Sequence, residues 1–425
     1  MATPTPSPHP APTACAASAL STHRDTRTAA LEVAARLLAG FERQDGVRDG
    51  GCDLLLLFGS FHHRAAFAEA AQTLERSLEP RCVVGVTAEW VVGQGHEVEG
   101  GPGLSALAMR LPGVAIDPVR FDAFEGPTEH WTDEHFREKL AVGPDARATL
   151  LFADPFSIQG PLFLDRVTKA IAPHTVPIVG GLASGSSQPG ANVLVLDHQV
   201  AASGVVGVTL SGAIEVDTLV SPGSRPLGEP FIVTKGSGTL IEALGGRPAL
   251  DVARELVSEL NEDEQASVRE GLLMGFAIDE YRDRFGRDDF LLRTILGADP
   301  RKKAIHVGEK IKVGRTVRFH LRDRKAAMED LELLLDREQM RERPFAAFMA
   351  TCSSRGRNLF KAPHVDARAI ARRLGDPPLA GFFAAGEIGR VGRRSWLHGH
   401  AISAAFFRAP VQNEGDRGVV GADEA

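Results

Sequence analysis

The stretch TCSSRGRNLF (351–360) places a cysteine, two serines and two arginines within seven consecutive positions. It follows the apolar run FAAFMATC (345–352) and so reads as a loop at the end of a buried strand. Successive backbone N–H groups in such a turn form a positive concavity for an anion. Arg355 adds a planar fork that grips a carboxylate through two bonds. Nearby arginines favour the thiolate of Cys352, which would make it a nucleophile. The alternative is a structural cysteine closing a strand, flanked by solvated arginines. Ser353 lies in the same loop and is grouped with these candidate ligand contacts.

A second stretch, PLAGFFAAGEIG (378–389), ends an apolar run on Glu387 fenced by Gly386 and Gly389. Glycines without a Cβ let a ligand or another backbone come close. Glu387 then offers a carboxylate at the end of a buried strand; the alternative is a turn residue satisfied by backbone amides or by Arg393 or Arg394. Arg355 and Glu387 together supply the two signs that recognition of a zwitterion requires. Asp154 in FADPF (152–156) is a further strand-end contact, with a turn Asp before Pro155 as its alternative. His398 and His400 in LHGH share a face with Trp396. His398 is counted among the ligand contacts, and His398 or His400 would be the base of an alternative thiol enzyme built on Cys352. An HxH pair with no third ligand set by spacing does not specify a metal site, so no metal is expected. His62 and His63 are expected to be exposed at the start of a helix.

Other motifs exclude common chemistries. GGLASGSSQPG (180–190) lacks the P-loop lysine, the GxGxxG spacing and the GxSxG nucleophile elbow. It reads as a flexible Gly/Ser loop at a pocket mouth, and no cofactor is implied. A net charge of −7 over 425 residues carries no basic footprint for nucleic acid. Apolar runs such as LLLLF (54–58) fall far short of the ~20 residues of a membrane helix. Cys15, Cys52, Cys82 and Cys352 form no CxxC pair and no disulfide framework, in keeping with reduced thiols in a cytoplasm.

The elements that must position these residues alternate in type. Strands are expected at 53–60, 81–90, 148–156, 175–181, 192–197 and 204–212, and later at 316–323, 345–352, 378–386 and 397–407. A helix with Phe67, Ala70, Ala71, Leu74 and Leu78 on one face follows the first strand. Helices are also expected around 162–172, from Pro248 with Val252, Leu256 and Leu260 buried, at 325–338 with Met328, Leu331 and Leu335 inward, and at 365–374. Hairpin and helical connections both occur, so the fold class is α/β (α+β): mixed, partly antiparallel sheets covered by helices in two domains. VVGVTAEWVVG, IVGGLASG and LAGFFAAGEIG echo one another and raise the expectation of duplicated halves.

Several longer stretches carry a family likeness. In the first half they are CVVGVTAEWVVGQGHEVEG, FADPF, VPIVGGLASG and GVVGVTLSG. In the second they are PLGEPFIVTKGSGTLIEALGGRPAL, FLLRTILGADP, VGRTVRFHLRD, CSSRGRNLF, PLAGFFAAGEIG and LHGH. Their order from about Leu54 to Phe407 resembles the FIST proteins, which pair a FIST N-terminal with a FIST C-terminal domain. Arg390 departs from the Pro that many relatives carry after GEIG. The resemblance implies an intracellular sensor of a small ligand, with amino acids as the suggested class. Its output would pass to a signalling partner in a separate chain, without nucleic acid or membrane insertion. It divides the chain into a disordered tail (1–27), an N-terminal domain (28–235), a C-terminal domain (236–407) and a second tail (408–425). A protein-interaction scaffold of the F-box-associated type is a further alternative, although the segment before Leu54 is too Pro/Ala-rich for an F-box module.

Overall fold

In the computed structural model, which describes residues 13–45, 51–124, 131–282, 284–286 and 289–410, one unit recurs three times along the chain. The first runs β1 (Cys15–Ser21), α1 (Thr26–Asp45), β2 (Leu54–Ser60), α2 (Phe67–Leu78) and β3 (Cys82–Ala88). It ends with the hairpin β4 (Val91–Gly93) and β5 (His96–Val98), then β6 (Leu104–Arg110). The second keeps this order: β7 (Val114–Phe121), α3 (Asp133–Leu140), β8 (Ala146–Ala153), α4 (Gly160–Ala170) and β9 (Ile178–Leu182). Its hairpin is β10 (Leu194–Leu196) and β11 (Gln199–Ala201), followed by β12 (Val205–Gly212).

The third unit opens with β13 (Glu215–Pro222) and is then interrupted by an inserted module. The module comprises β14 (Ser224–Ser237), β15 (Leu240–Leu244), β16 (Arg247–Pro248), α5 (Ala249–Ser258) and α6 (Glu262–Glu270). It continues through β17 (Leu272–Ala277), β18 (Phe290–Asp299), β19 (Ala304–Val307) and β20 (Thr316–Arg322). The third unit resumes with α7 (Arg324–Gln339), β21 (Ala346–Cys352), α8 (Gly356–Phe360), α9 (Val365–Leu374) and β22 (Leu379–Ala384). It closes with the hairpin β23 (Glu387–Val391) and β24 (Arg394–His398), then β25 (Ala401–Arg408).

Three six-stranded sheets share one plan: β1-β6-β2-β3-β10-β11, β7-β12-β8-β9-β23-β24 and β13-β25-β21-β22-β4-β5. Each contains one parallel pair, β2/β3, β8/β9 or β21/β22. A parallel pair needs a crossover, and α2, α4 and α9 supply it. The hairpins are exchanged in a cycle. The first unit's hairpin completes the third sheet, the second unit's completes the first, and the third unit's completes the second. Strands from the two halves of the sequence are therefore interleaved, while the module keeps a seven-stranded sheet of its own.

Why the units take this form is visible in their glycines. Gly85, Gly180 and Gly381 lie opposite Leu57, Leu151 and Met349 in the parallel pairs. A Cβ on Gly180 or Gly381 would come within 1.9 Å of the facing carbonyl oxygen, closer than any side chain tolerates. The three echoing stretches of the sequence are thus three copies of the second parallel strand and its exit, where two halves were expected. Between the sheets Phe58, Phe152, Phe348 and Phe382, drawn from all three units, pack with ring centroids 5.2 to 6.3 Å apart. Burying each ring contributes about 1.5–3 kcal/mol. Outside the sheets, α1 with α2, α3 with α4 and α7 with α9 cover the other faces.

The mixed, helix-covered sheets match the expected class, and α2 buries the five residues that its spacing predicts. Other expectations are corrected. Cys15–Ser21, assigned to a disordered tail, pairs along its whole length with β6, because alternate small residues fit a covered sheet edge. The expected boundary at 235/236 falls inside β14. Met328 is 42% exposed, and Ala327 and Asp330 take the inward face of α7 beside Leu331 and Leu335. The segment 397–407 is two strands, broken where His400 adopts a positive φ of 60°. The tails at 1–12 and 411–425 lie outside the described residues.

Candidate functional site

The carboxyl ends of all three parallel pairs open onto one cleft of about 910 Å³. Clefts beyond the carboxyl ends of strands are common ligand sites because chain direction reverses there and loops are free to vary. Phe61, His62 and Arg64 follow β2, Pro155 and Phe156 follow β8, and Ser353 follows β21. Glu89 and Trp90 follow β3, the Ser184–Gln188 loop follows β9, and Ala385 follows β22. Every unit thus contributes both ends of its parallel pair.

The wall is held by bonds between units. Ser184 Oγ accepts from the Glu89 backbone N–H at 2.8 Å and donates to the Phe383 carbonyl, joining all three units at one hydroxyl. The Gly/Ser loop does sit at the pocket mouth, and Ser184 is a clamp within it. Arg64 Nη1 donates to the Ala191 carbonyl at 3.3 Å, with its guanidinium 5.2 Å from the Phe61 ring centre. His62 is exposed as expected. His63 is not: it is fully buried, with Nδ1 2.9 Å from Thr26 Oγ1, because the first turn after β2 rolls it beneath α1. Asp154 lies one residue behind the lining and is buried, accepting from Asn192 Nδ2 at 2.9 Å.

The predicted residues of the third unit divide into those at the cleft and those behind it. Ser353 lines the cleft, and its backbone N–H donates to the Ala384 carbonyl at 3.2 Å. Gly386 is buried against Leu397 and Leu182, where a Cβ would approach to 3.0 and 3.2 Å. Arg355, expected to receive an anion, is fully buried and engaged. Its Nε and Nη2 each donate to the Asp366 carboxylate at 2.8 Å, and its guanidinium lies 5.3 Å from the Phe360 ring centre. The pair pins the loop after β21 to the first turn of α9.

Glu387 and Cys352 are brought together in a closed cluster. Glu387 is fully buried and accepts from the Ala401 N–H at 3.2 Å, with the thiol as its side-chain partner. Burial pushes its carboxyl up to about 8. The Cys352 thiol is pushed up as well, first by burial and then by the neighbouring carboxylate. Ser354 Oγ donates to Cys352 Sγ at 3.1 Å and meets His400 Nδ1 at 2.9 Å, while His400 Nε2 meets Thr294 Oγ1 of the module at 3.0 Å. His398 turns away to the Gly389 carbonyl at 3.1 Å. Burial lowers both imidazoles to about 4. The cluster brings a protonated thiol, a protonated carboxyl and neutral imidazoles together, opposite in sense to the thiolate–imidazolium pair of an activated cysteine.

Sequence reasoning did not single out Arg64, Glu89, Trp90 or Asn192. The signal for the first three was present: each lies within four residues of the end of an apolar strand. Asn192 is brought to Asp154 only by the fold. Among the described residues, no group of three or more His, Cys, Asp or Glu is placed to hold a metal ion.

Relatives among known proteins match almost the whole chain. An uncharacterized protein of Mycobacterium tuberculosis is 38% identical over 404 residues, covering 91% of this chain and 98% of that protein. One from Mycobacterium bovis is 37% identical over 388 residues, covering 91% and 97%. Among solved structures, a cyanuric acid hydrolase from A. caulinodans aligns over 93% of this chain and 99% of its own, at 10% identity and a TM-score of 0.34. The FIST N domain model matches residues 53–247 and the FIST C domain model residues 249–390, so the chain belongs to the FIST family.

Proposed function

We propose that the protein is a sensor for an amino acid or related zwitterion, that the ligand occupies the central cleft, and that the signal passes to a separate protein chain in the cytoplasm. FIST domains are associated with sensory and signal-transduction proteins. One observation carries the reading: a single cleft is walled by all three units and lined by both a guanidinium, Arg64, and a carboxylate, Glu89. A zwitterion needs both signs within one small volume, and Trp90, Phe61 and Phe156 leave an apolar surface for its side chain. A ligand touching three units at once favours whichever arrangement of them binds it better, which is the thermodynamic requirement for a signal.

The test is thermal unfolding of the full chain against the twenty amino acids and their decarboxylated and deaminated counterparts, repeated with Arg64→Met. A ligand bound only by the native state raises the midpoint saturably. The expected result is a rise for one amino-acid class, lost in Arg64→Met. A flat response to every amino acid would remove the assignment.

A further inference from the structure

Two buried oxygens behind the cleft have no hydrogen-bond partner among the described residues. Asp154 is 1% exposed and Asn192 is fully buried. Asn192 Nδ2 donates to Asp154 Oδ1, and since a carboxylate accepts only from the N–H₂ side, this bond orients the amide. Asn192 Oδ1 and Asp154 Oδ2 are left without partners among the described residues. No ion pair among the described residues includes Asp154. Folded chains leave few buried acceptors in this condition, and two side by side call for an explanation.

The other two units serve as an internal control. Counting three residues on from the positions that face Gly85, Gly180 and Gly381, Asp154 corresponds to Ser60 and Cys352. Counting back three from the hairpin residues that pair with the same glycines, Asn192 corresponds to Ala385 and Glu89. Ser60 Oγ is satisfied within its own unit by the Gly103 N–H at 2.9 Å. The unit therefore closes without an acidic acceptor pair at this point, and the pair belongs to the second unit alone.

Its chemistry defines its complement. Two unpartnered acceptors and one formal negative charge match a small cation with at least two N–H groups. The chain neighbours Pro155 and Ala191 line the cleft, and Arg64 is bonded to the Ala191 carbonyl, one residue from Asn192. A guanidinium tied to the residue next to the ammonium seat suits a ligand whose ammonium and carboxylate groups are borne by the same carbon. We infer that Asp154 and Asn192 form the seat for the primary ammonium group of the cleft's ligand, an assignment that rests on the cleft being the ligand site. Glu89 at the exposed rim supplies negative charge at the entrance of the cleft, and the buried pair takes the ammonium group itself; Glu387 lies behind the third unit.

Methylammonium chloride, tetramethylammonium chloride and potassium chloride at equal ionic strength separate the alternatives. Thermal unfolding of the full chain is followed for the wild type, Asp154→Asn and the nearly isosteric Asn192→Leu. Methylammonium alone is expected to raise the wild-type midpoint saturably, with the shift abolished in Asp154→Asn and at least tenfold weaker in apparent affinity in Asn192→Leu. If Asp154→Asn fails to fold, Asn192→Leu carries the test. Equal shifts with potassium or tetramethylammonium, no methylammonium shift, or a shift retained in the variants would overturn the assignment. Amino acids that bind in an Arg64-dependent way without any methylammonium effect would sink the ammonium seat and leave the cleft reading standing. A methylammonium effect without amino-acid binding would do the reverse.

Discussion

Glu387 stands out in the sequence as an unusual carboxylate, because two glycines and an apolar approach mark a strand end. What its sequence neighbours do not reveal is how completely the third unit closes over it. Its folded pKa, raised by burial, lies above the unfolded carboxyl value, so the native state holds the proton more tightly. The resulting stabilisation is fully present below about pH 4.5, the ordinary glutamate value, and is lost as pH rises towards about 8. His398 and His400 act in the opposite sense: their folded values near 4 make stability fall as pH drops from about 6.5 towards 4. Glu387→Gln is therefore expected to flatten the loss of stability between pH 6 and 8 and to leave the acid limb in place. Urea midpoints across that range check this; an unchanged alkaline slope would show that Glu387 is not the group responsible.

At the scale of elements, the loop after β21 illustrates how a correct placement supports a wrong role. Arg355 does follow a strand end, as its neighbours indicate, but Asp366 eleven residues later is folded back onto it by the crossover into α9. A bidentate pair with both side chains 1% exposed is structural, and removing one partner leaves a buried uncompensated charge that costs about 3–5 kcal/mol. Asp366→Asn is expected to destabilise strongly. The double replacement Arg355→Met with Asp366→Leu should cost clearly less than the sum of the single changes, as urea unfolding in a double-mutant cycle would show. Additive losses would mean that the two side chains act independently. Amphipathic helices are legible in this sequence because their spacing depends on one chain segment alone. The inward face of α7 departs from its apolar spacing at Met328 because Asp330, hydrogen-bonded to Ser221, replaces an apolar contact by a partner 109 residues away.

Across the whole molecule, the cyclic exchange of hairpins ties the three units together, whereas the module enters and leaves the third unit at one point. Its entry and exit are adjacent: Ser224 pairs with Arg322, and the Asp323 N–H reaches the Gly223 carbonyl at 3.4 Å. Replacing 224–322 with a short glycine linker is expected to leave a folded chain with a single cooperative transition, lowered by the loss of contacts such as Thr294 to His400. Calorimetry on the excised protein checks this. Loss of the transition would mean that the module is integral to the core.

The sequence by itself determined the alternation of strands and helices, the glycine-bearing second strand of each parallel pair and the family, because these depend on local periodicity and on residues that only one backbone geometry accepts. The triple repeat was present as three short echoes, but small apolar-glycine patterns carry too little information to count units. Only the tertiary structure decided which strand ends share a cleft, since the hairpin exchange brings together positions up to about three hundred residues apart. It also decided which candidates were already engaged. Arg355 had found Asp366, Glu387 lay behind the wall, and Asp154 met Asn192, because whether a buried polar group is satisfied depends on partners that chain folding, not chain order, supplies.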